Sequence, residues 1–326
     1  MLRYAPRIPK RVLCGTFARA LAISPERAEM LAKVFVFDAS QSKDLWAQPL
    51  VECEEDYCLV IPCIFSVHLF RTVESWMRQG NIDLDRRGPE FELFCRKELK
   101  EVLLHSPLRN SVEICDDAVS FKPQGEREEE IDIVIVFADT LLLIETKCIL
   151  WPDEALQFAN YREVVEKAVA QVARKADAVS RNYSAFAERL TQYGYRAPGK
   201  ANVLCCVLSN SAVFSGFPIN GVPIIDLSIL NSFLRNEHIR FLERDKGKTL
   251  NKQAIKFYAE AADATKVLGD YLLDPPQLSH MRQSVKTREI VFPIENPIYG
   301  KLIYETYTVE LDVTAYLKDQ SGSTVQ

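Results

Sequence analysis

Three charged residues set into two otherwise apolar runs constrain this chain more than any other feature of its sequence. Residues 131–137 and 141–149 are rich in β-branched and aliphatic side chains. The short polar break Ala138-Asp139-Thr140 between them predicts a hairpin. Both runs are apolar at odd and even positions alike, the pattern of strands buried on both faces of a sheet. Into this pair the sequence sets Asp132, Glu145 and Lys147. A buried charge is costly alone, so a cation, a counter-charge or solvent access is expected beside them.

Strand parity limits how the three can meet. Residues two apart on a strand face the same way, so Glu145 and Lys147 share a face. A turn at Asp139-Thr140 places Asp132 opposite Lys147, and a turn one residue earlier places it opposite Glu145. A three-residue loop pairs Asp132 with Thr146 and turns it to the other face unless a bulge intervenes. Two carboxylates on one face make a hard oxygen site suited to Mg²⁺ or Mn²⁺. A lysine beside them can orient a water and steady developing negative charge.

Asp132 followed on the next strand by Glu145-Thr146-Lys147 resembles the PD-(D/E)XK signature of the restriction-endonuclease-like nuclease superfamily. Ile131 stands where the name of that signature has proline. The resemblance extends over roughly 88–234 by its helix–strand–hairpin–helix–strand order. It implies an α/β fold with a restriction-endonuclease-like mixed central sheet flanked by helices. The implied activity is Mg²⁺-dependent (or Mn²⁺-dependent) hydrolysis of phosphodiester bonds in DNA by an endonuclease, with a bacterial restriction or antiphage defence system as its setting. Asp132 and Glu145 would hold the metal, the Thr146 carbonyl would add a ligand, and Lys147 would place the attacking water. Two further positions are implied: Glu92 on the helix before the sheet, and Gln171 on the helix after it. The alternative on the same fold is a non-catalytic nucleic-acid-binding or assembly module. Double-strand cleavage by such a single-site chain calls for a homodimer or a partner protein of a defence complex.

The amphipathic helix expected over 89–104 carries Glu92 in its first turn, where a solvated glutamate would also favour the helix dipole. A long helix is expected from about 154 to 187, with Val165, Val169, Val172, Ala176 and Val179 as its buried stripe. Asn160, Lys167, Gln171, Arg174 and Arg181 fall on another side of it. Lys167, Arg174 and Arg181 are therefore the candidate nucleic-acid contacts, against the plain reading of a wet helix face. Residues 201–208 follow as the next buried strand.

The rest of the chain supplies context. A length of 326 residues suits about two domains, and the sequence divides into an N-terminal, mainly helical region over 1–87, a nuclease-like core over 88–235, and a C-terminal α+β extension over 236–326. The first region opens basic, with Arg3, Arg7, Lys10, Arg11 and Arg19 before any acid, and 11–22 and 25 onward read as two short helices joined at Ser24-Pro25. A strand is expected over 57–65, a helix over 251–273, strands over 289–293 and 302–311, and a frayed tail over 320–326. A net charge of −5 excludes a polyanion-binding surface spread over the whole chain and requires a local one. Nine cysteines lack zinc spacing and read as reduced thiols, and the apolar run 57–70 is too short to span a membrane. Both points suggest a cytoplasmic protein without a membrane partner. His68, His105, His238 and His280 form no paired metal motif.

Overall fold

The computed structural model describes residues 5–38, 45–65, 69–80, 82–84, 86–123, 125, 127–152, 155–236, 239–245, 248–279, 285–296 and 300–309. The chain divides into two units, Met1–Arg87 with Leu150–Arg162, and Gly88–Ile149 with Glu163–Gln326.

In the first unit, strand β1 (Arg7–Pro9) runs into helices α1 (Lys10–Leu21) and α2 (Pro25–Val34). The Ser24 hydroxyl accepts the Arg27 N–H at 3.3 Å, and Pro25 takes the first helical position, so α2 begins where its residues predict. Strands β2 (Leu50–Cys53) and β3 (Asp56–Leu59) complete an antiparallel sheet in the order β1-β3-β2. The strand expected over 57–65 stops at Leu59 and gives way to the short helix α3 (Ile61–Phe65). Pro62 explains the change: it has no N–H for a ladder but fits the first turn of a helix. Helix α4 (Leu69–Gln79) follows. Lys10 of the basic N-terminal segment is engaged within this unit, 2.6 Å from Glu52 and over the Tyr57 ring.

The second unit is a mixed α/β layer structure. Helix α5 (Arg87–Leu104) leads to β4 (Glu113–Ile114), β5 (Val119–Phe121), β6 (Glu129–Ile131), β7 (Ile133–Val136) and β8 (Thr140–Lys147). Then come α6 (Ala155–Arg181), which belongs to this unit from Glu163 onward, α7 (Tyr183–Gln192), β9 (Asn202–Ser209), β10 (Ile224–Asp226) and α8 (Leu227–Arg235). The central sheet has the order β10-β9-β8-β7-β4. Strand β7 is antiparallel to β4 and β8, while β8, β9 and β10 run parallel. Apolar residues at both parities of β7 and β8 reflect cores on both faces. Ile133, Ile135, Leu142 and Ile144 pack with α5 and α8 residues such as Leu99, Val102, Leu230 and Phe233. Val134, Val136, Leu141 and Leu143 pack with Val179, Phe186 and Leu190 of α6 and α7.

Several expected elements differ. The helix expected over 154–187 is two helices, broken at Asn182, whose φ of −118° and ψ of 37° leave the helical region. Its side-chain amide donates to the Ala178 carbonyl at 3.0 Å, the local competition that makes Asn a poor helix interior. The apolar spacing resumes at Phe186 and hides the break. The helix expected over 251–273 begins as a strand: β11 (Ile239–Asp245) pairs antiparallel with β12 (Lys248–Ile255), and only α9 (Ala264–Leu273) is α-helical. Leu268, Tyr271 and Leu272 of α9 share a core with Phe233 and Ile144, so packing runs on past residue 235. A last antiparallel pair is formed by β13 (Val285–Asn296) and β14 (Gly300–Val309). The tail at 320–326, His68, His238 and His280 lie outside the described residues. The nine cysteines are free thiols, and burial pushes Cys95 and Cys115 up to about 12, far from the reactive thiolate. Among the described residues no helix is long and apolar enough to cross a membrane.

Candidate active site

The hairpin register decides the site. Ile133 pairs with Ile144 and Val136 with Leu141, with the Phe137 N–H on the Thr140 carbonyl across the turn. Of the registers open to the sequence, this is the one that brings Asp132 level with Glu145. Asp132 itself sits in a bend between β6 and β7, where the ladder has ended. Its Oδ2 instead accepts the Thr146 backbone N–H at 2.7 Å and the Thr146 hydroxyl at 3.1 Å. Thr146 thus enters the site by fixing Asp132 with its N–H and hydroxyl, where the resemblance implied its carbonyl. The Arg96 guanidinium on α5 donates to the Asp132 carbonyl at 2.7 Å and locks the same bend from behind.

Glu145 and Lys147 follow the parity of Leu141 and Leu143 and so face α6. The Lys147 ammonium is 2.6 Å from Glu145 Oε1. From α6, Lys175 reaches down to Glu145 Oε2 at 2.5 Å and to Asp132 Oδ1 at 3.7 Å. One ammonium therefore touches both carboxylates, which places Asp132 and Glu145 on the same side of the sheet. The group lies at the C-terminal end of the central strand β8, within the sheet rather than at a lateral edge. Asp132 is 8% exposed and Glu145 4%. Burial, and then the charge of Glu145, push the Asp132 carboxyl above its ordinary range, while Lys175 and the Thr146 N–H oppose them.

Lys175 is the residue the sequence reading missed. It follows Val172 by three and precedes Val179 by four, inside the stripe of α6 that is buried. A lone lysine among valines at core spacing was the available signal, because a cation there needs buried anions.

The remaining candidates fall around this group with different roles. Glu92 on α5 is 4.0 Å from Arg96. Its own burial and then the charge of Asp132 raise its carboxyl. Among the described residues no group of three or more His, Cys, Asp or Glu side chains is arranged to hold a metal ion. Gln171 lies one helical turn before Lys175, and its buried Oε1 has no hydrogen-bond donor among the described residues. Arg174 is committed elsewhere: its Nε and one terminal nitrogen, Nη2, lie 2.8 and 2.9 Å from the two oxygens of Glu129. Arg127 adds a third contact to Glu129 at 2.8 Å. Arg174, expected as a phosphate contact, thus has its bidentate fork filled by Glu129 in this structure. Lys167 and Arg181 make exposed pairs with Glu163 and Asp177 at 2.7 and 2.9 Å, the weak and exchangeable kind.

The Arg174–Glu129 pair carries a stability prediction. Arg174, with Arg127, holds the Glu129 carboxyl down at about 2 from an ordinary value of 4.5. A depressed carboxyl stabilises the fold above its unfolded value and loses that contribution as pH falls. Arg174→Ala should therefore cost roughly 1–3 kcal/mol near neutral pH. It should also flatten the dependence of stability on pH between 4.5 and 2, as read by denaturant unfolding at several pH values.

Two buried carboxylates turned toward one cation are a donor set whose hard oxygens would suit a divalent ion, and in this structure the Lys175 ammonium answers them. Fold and site together define an α/β protein with a mixed five-stranded sheet and a buried carboxylate–lysine cluster at the end of its central strand. Comparison with family models, characterised proteins and solved structures returns no match.

Proposed function

We propose that this chain is a metal-dependent phosphodiesterase with a restriction-endonuclease-like core, acting on nucleic acid and most directly on DNA. The single observation that carries the reading is the convergence of Asp132, Glu145 and Lys147 at one strand end, with Thr146 and Arg96 fixing Asp132. Asp132 and Glu145 would hold Mg²⁺ or Mn²⁺, which supplies charge neutralisation at the scissile phosphate and a more acidic water when bound. Lys147, about a quarter exposed at its side chain, is the group of the cluster that reaches toward solvent. Its ammonium can orient the attacking water and balance charge developing on the phosphoryl oxygens. Gln171, whose buried Oε1 has no donor among the described residues, would steady the α6 side of the site. Lys167 and Arg181 give α6 an exposed basic edge suited to a phosphate backbone, in place of the committed Arg174. The biological setting that fits is the cleaving arm of a cytoplasmic restriction or antiphage system, working as a homodimer or beside a partner protein.

A second reading has one observation in its favour. Glu145 offers both oxygens to lysines, Asp132 gives one oxygen to Thr146, and two ammoniums balance two carboxylates. A cluster closed in this way also suits a non-catalytic binding or assembly module. Incubation of plasmid, oligonucleotide and RNA substrates with Mg²⁺, Mn²⁺ or EDTA separates the two. The nuclease reading expects cleavage that EDTA abolishes. Binding of nucleic acid with no cleavage under any metal selects the module.

A further inference from the structure

We propose that Lys175 is the resident cation of the Asp132–Glu145 site, and that a divalent ion enters only by displacing it. The inference rests on the reading of these carboxylates as a metal site. Its ground is position. Lys175 lies in the buried stripe of α6 and is itself 8% exposed, so its ammonium is delivered to the carboxylates by the packing of the helix. At 2.5 Å from Glu145 Oε2 and 3.7 Å from Asp132 Oδ1, it occupies the space between them. A Mg²⁺ ion would need the same oxygens at about 2.0–2.1 Å. Two cations cannot share that space, because their repulsion in a water-poor site is strong.

The helix also provides a place for the displaced group. Gln171 is four residues earlier, on the same side of α6, and its buried Oε1 has no donor among the described residues. A lysine turns about a flexible four-carbon stem, so its ammonium can leave the carboxylates and take that acceptor. Lys175 then has two arrangements. In one it neutralises the carboxylates of the metal-free protein, and in the other it releases them. The consequence is a site stable without metal but with metal affinity lowered by its own counter-ion.

The test is direct binding to the full-length chain. Mn²⁺ is titrated by electron paramagnetic resonance and Mg²⁺ by calorimetry, using wild type, Lys175→Met, Lys175→Gln and Glu145→Gln. Removing the competing charge should tighten metal binding by about tenfold or more in both Lys175 variants. It should also lower their melting temperature without metal and enlarge the rise that Mn²⁺ produces. The Gln variant retains length and polarity in case the Met variant does not fold. Metal bound as weakly as in wild type, or more weakly, by a folded Lys175 variant overturns the displacement while the metal site stands, provided that Glu145→Gln abolishes binding. No binding to wild type and none to either Lys175 variant overturns the metal site and the displacement with it.

Discussion

Asp132→Asn and Glu145→Gln should each lower phosphodiester cleavage by at least roughly 10²–10³-fold, with the loss partly reversed by added Mn²⁺. Each change keeps the shape of the side chain and removes one negative charge from a set of two. The binding of a hard cation depends on that charge. Lys147→Ala should lose a comparable factor for a different reason. It leaves both carboxylates in place, so metal binding persists and extra Mn²⁺ gives no rescue. The comparison is a cleavage rate measured across a Mg²⁺ and Mn²⁺ titration for each variant. Rescue of Lys147→Ala by metal would assign that lysine to the holding of the ion instead of the handling of water or phosphate.

Truncation of Glu145, as distinct from its neutralisation, should be among the most destabilising changes at the site. Glu145 is nearly fully buried and is the common partner of Lys147 and Lys175. Glu145→Ala leaves the Lys175 ammonium, among the described residues, with Asp132 at 3.7 Å and opens a gap beside it. Breaking one side of a buried pair costs about 3–5 kcal/mol, and this change should fall in that range. Lys147→Ala should cost far less, because Lys147 is partly in water and Lys175 still holds Glu145. Denaturant unfolding in EDTA measures both. Equal stability of Glu145→Ala and wild type would show that the cluster contributes nothing to the fold.

Much of this site was legible in the sequence because the chemistry sits on one hairpin. Alternation fixes that Glu145 and Lys147 share a face, and a buried charge in an apolar strand demands a partner. The register was not legible. A turn displaced by one residue changes the partner of Asp132, and Ala138-Asp139-Thr140 accommodates more than one turn. Lys175 was hidden for a different reason. Read alone, α6 has a valine and alanine stripe with a lysine in it, and only the strand beneath reveals the two carboxylates waiting for that lysine. The partner of Arg174 was hidden too: it reads as a free basic residue until Glu129, 45 residues earlier, is brought across to it. The helix of 154–187 and the start of α9 were misjudged where apolar spacing outlasts a break. Asn182 stops one helix while Phe186 continues its stripe, and residues 251–255 pair as a strand with a segment that propensity alone does not identify.

On the proposed reading, Asp132, Glu145 and Lys147 form a metal-dependent phosphodiester-cleaving site. Its most direct test is nicking of supercoiled plasmid by wild type and Glu145→Gln, purified in parallel and titrated with Mg²⁺ from zero. Wild type should nick in a metal-dependent way that EDTA stops, and a folded Glu145→Gln protein should nick at least about 100-fold less. Nicking that survives EDTA, or equal nicking by the two proteins, would contradict it.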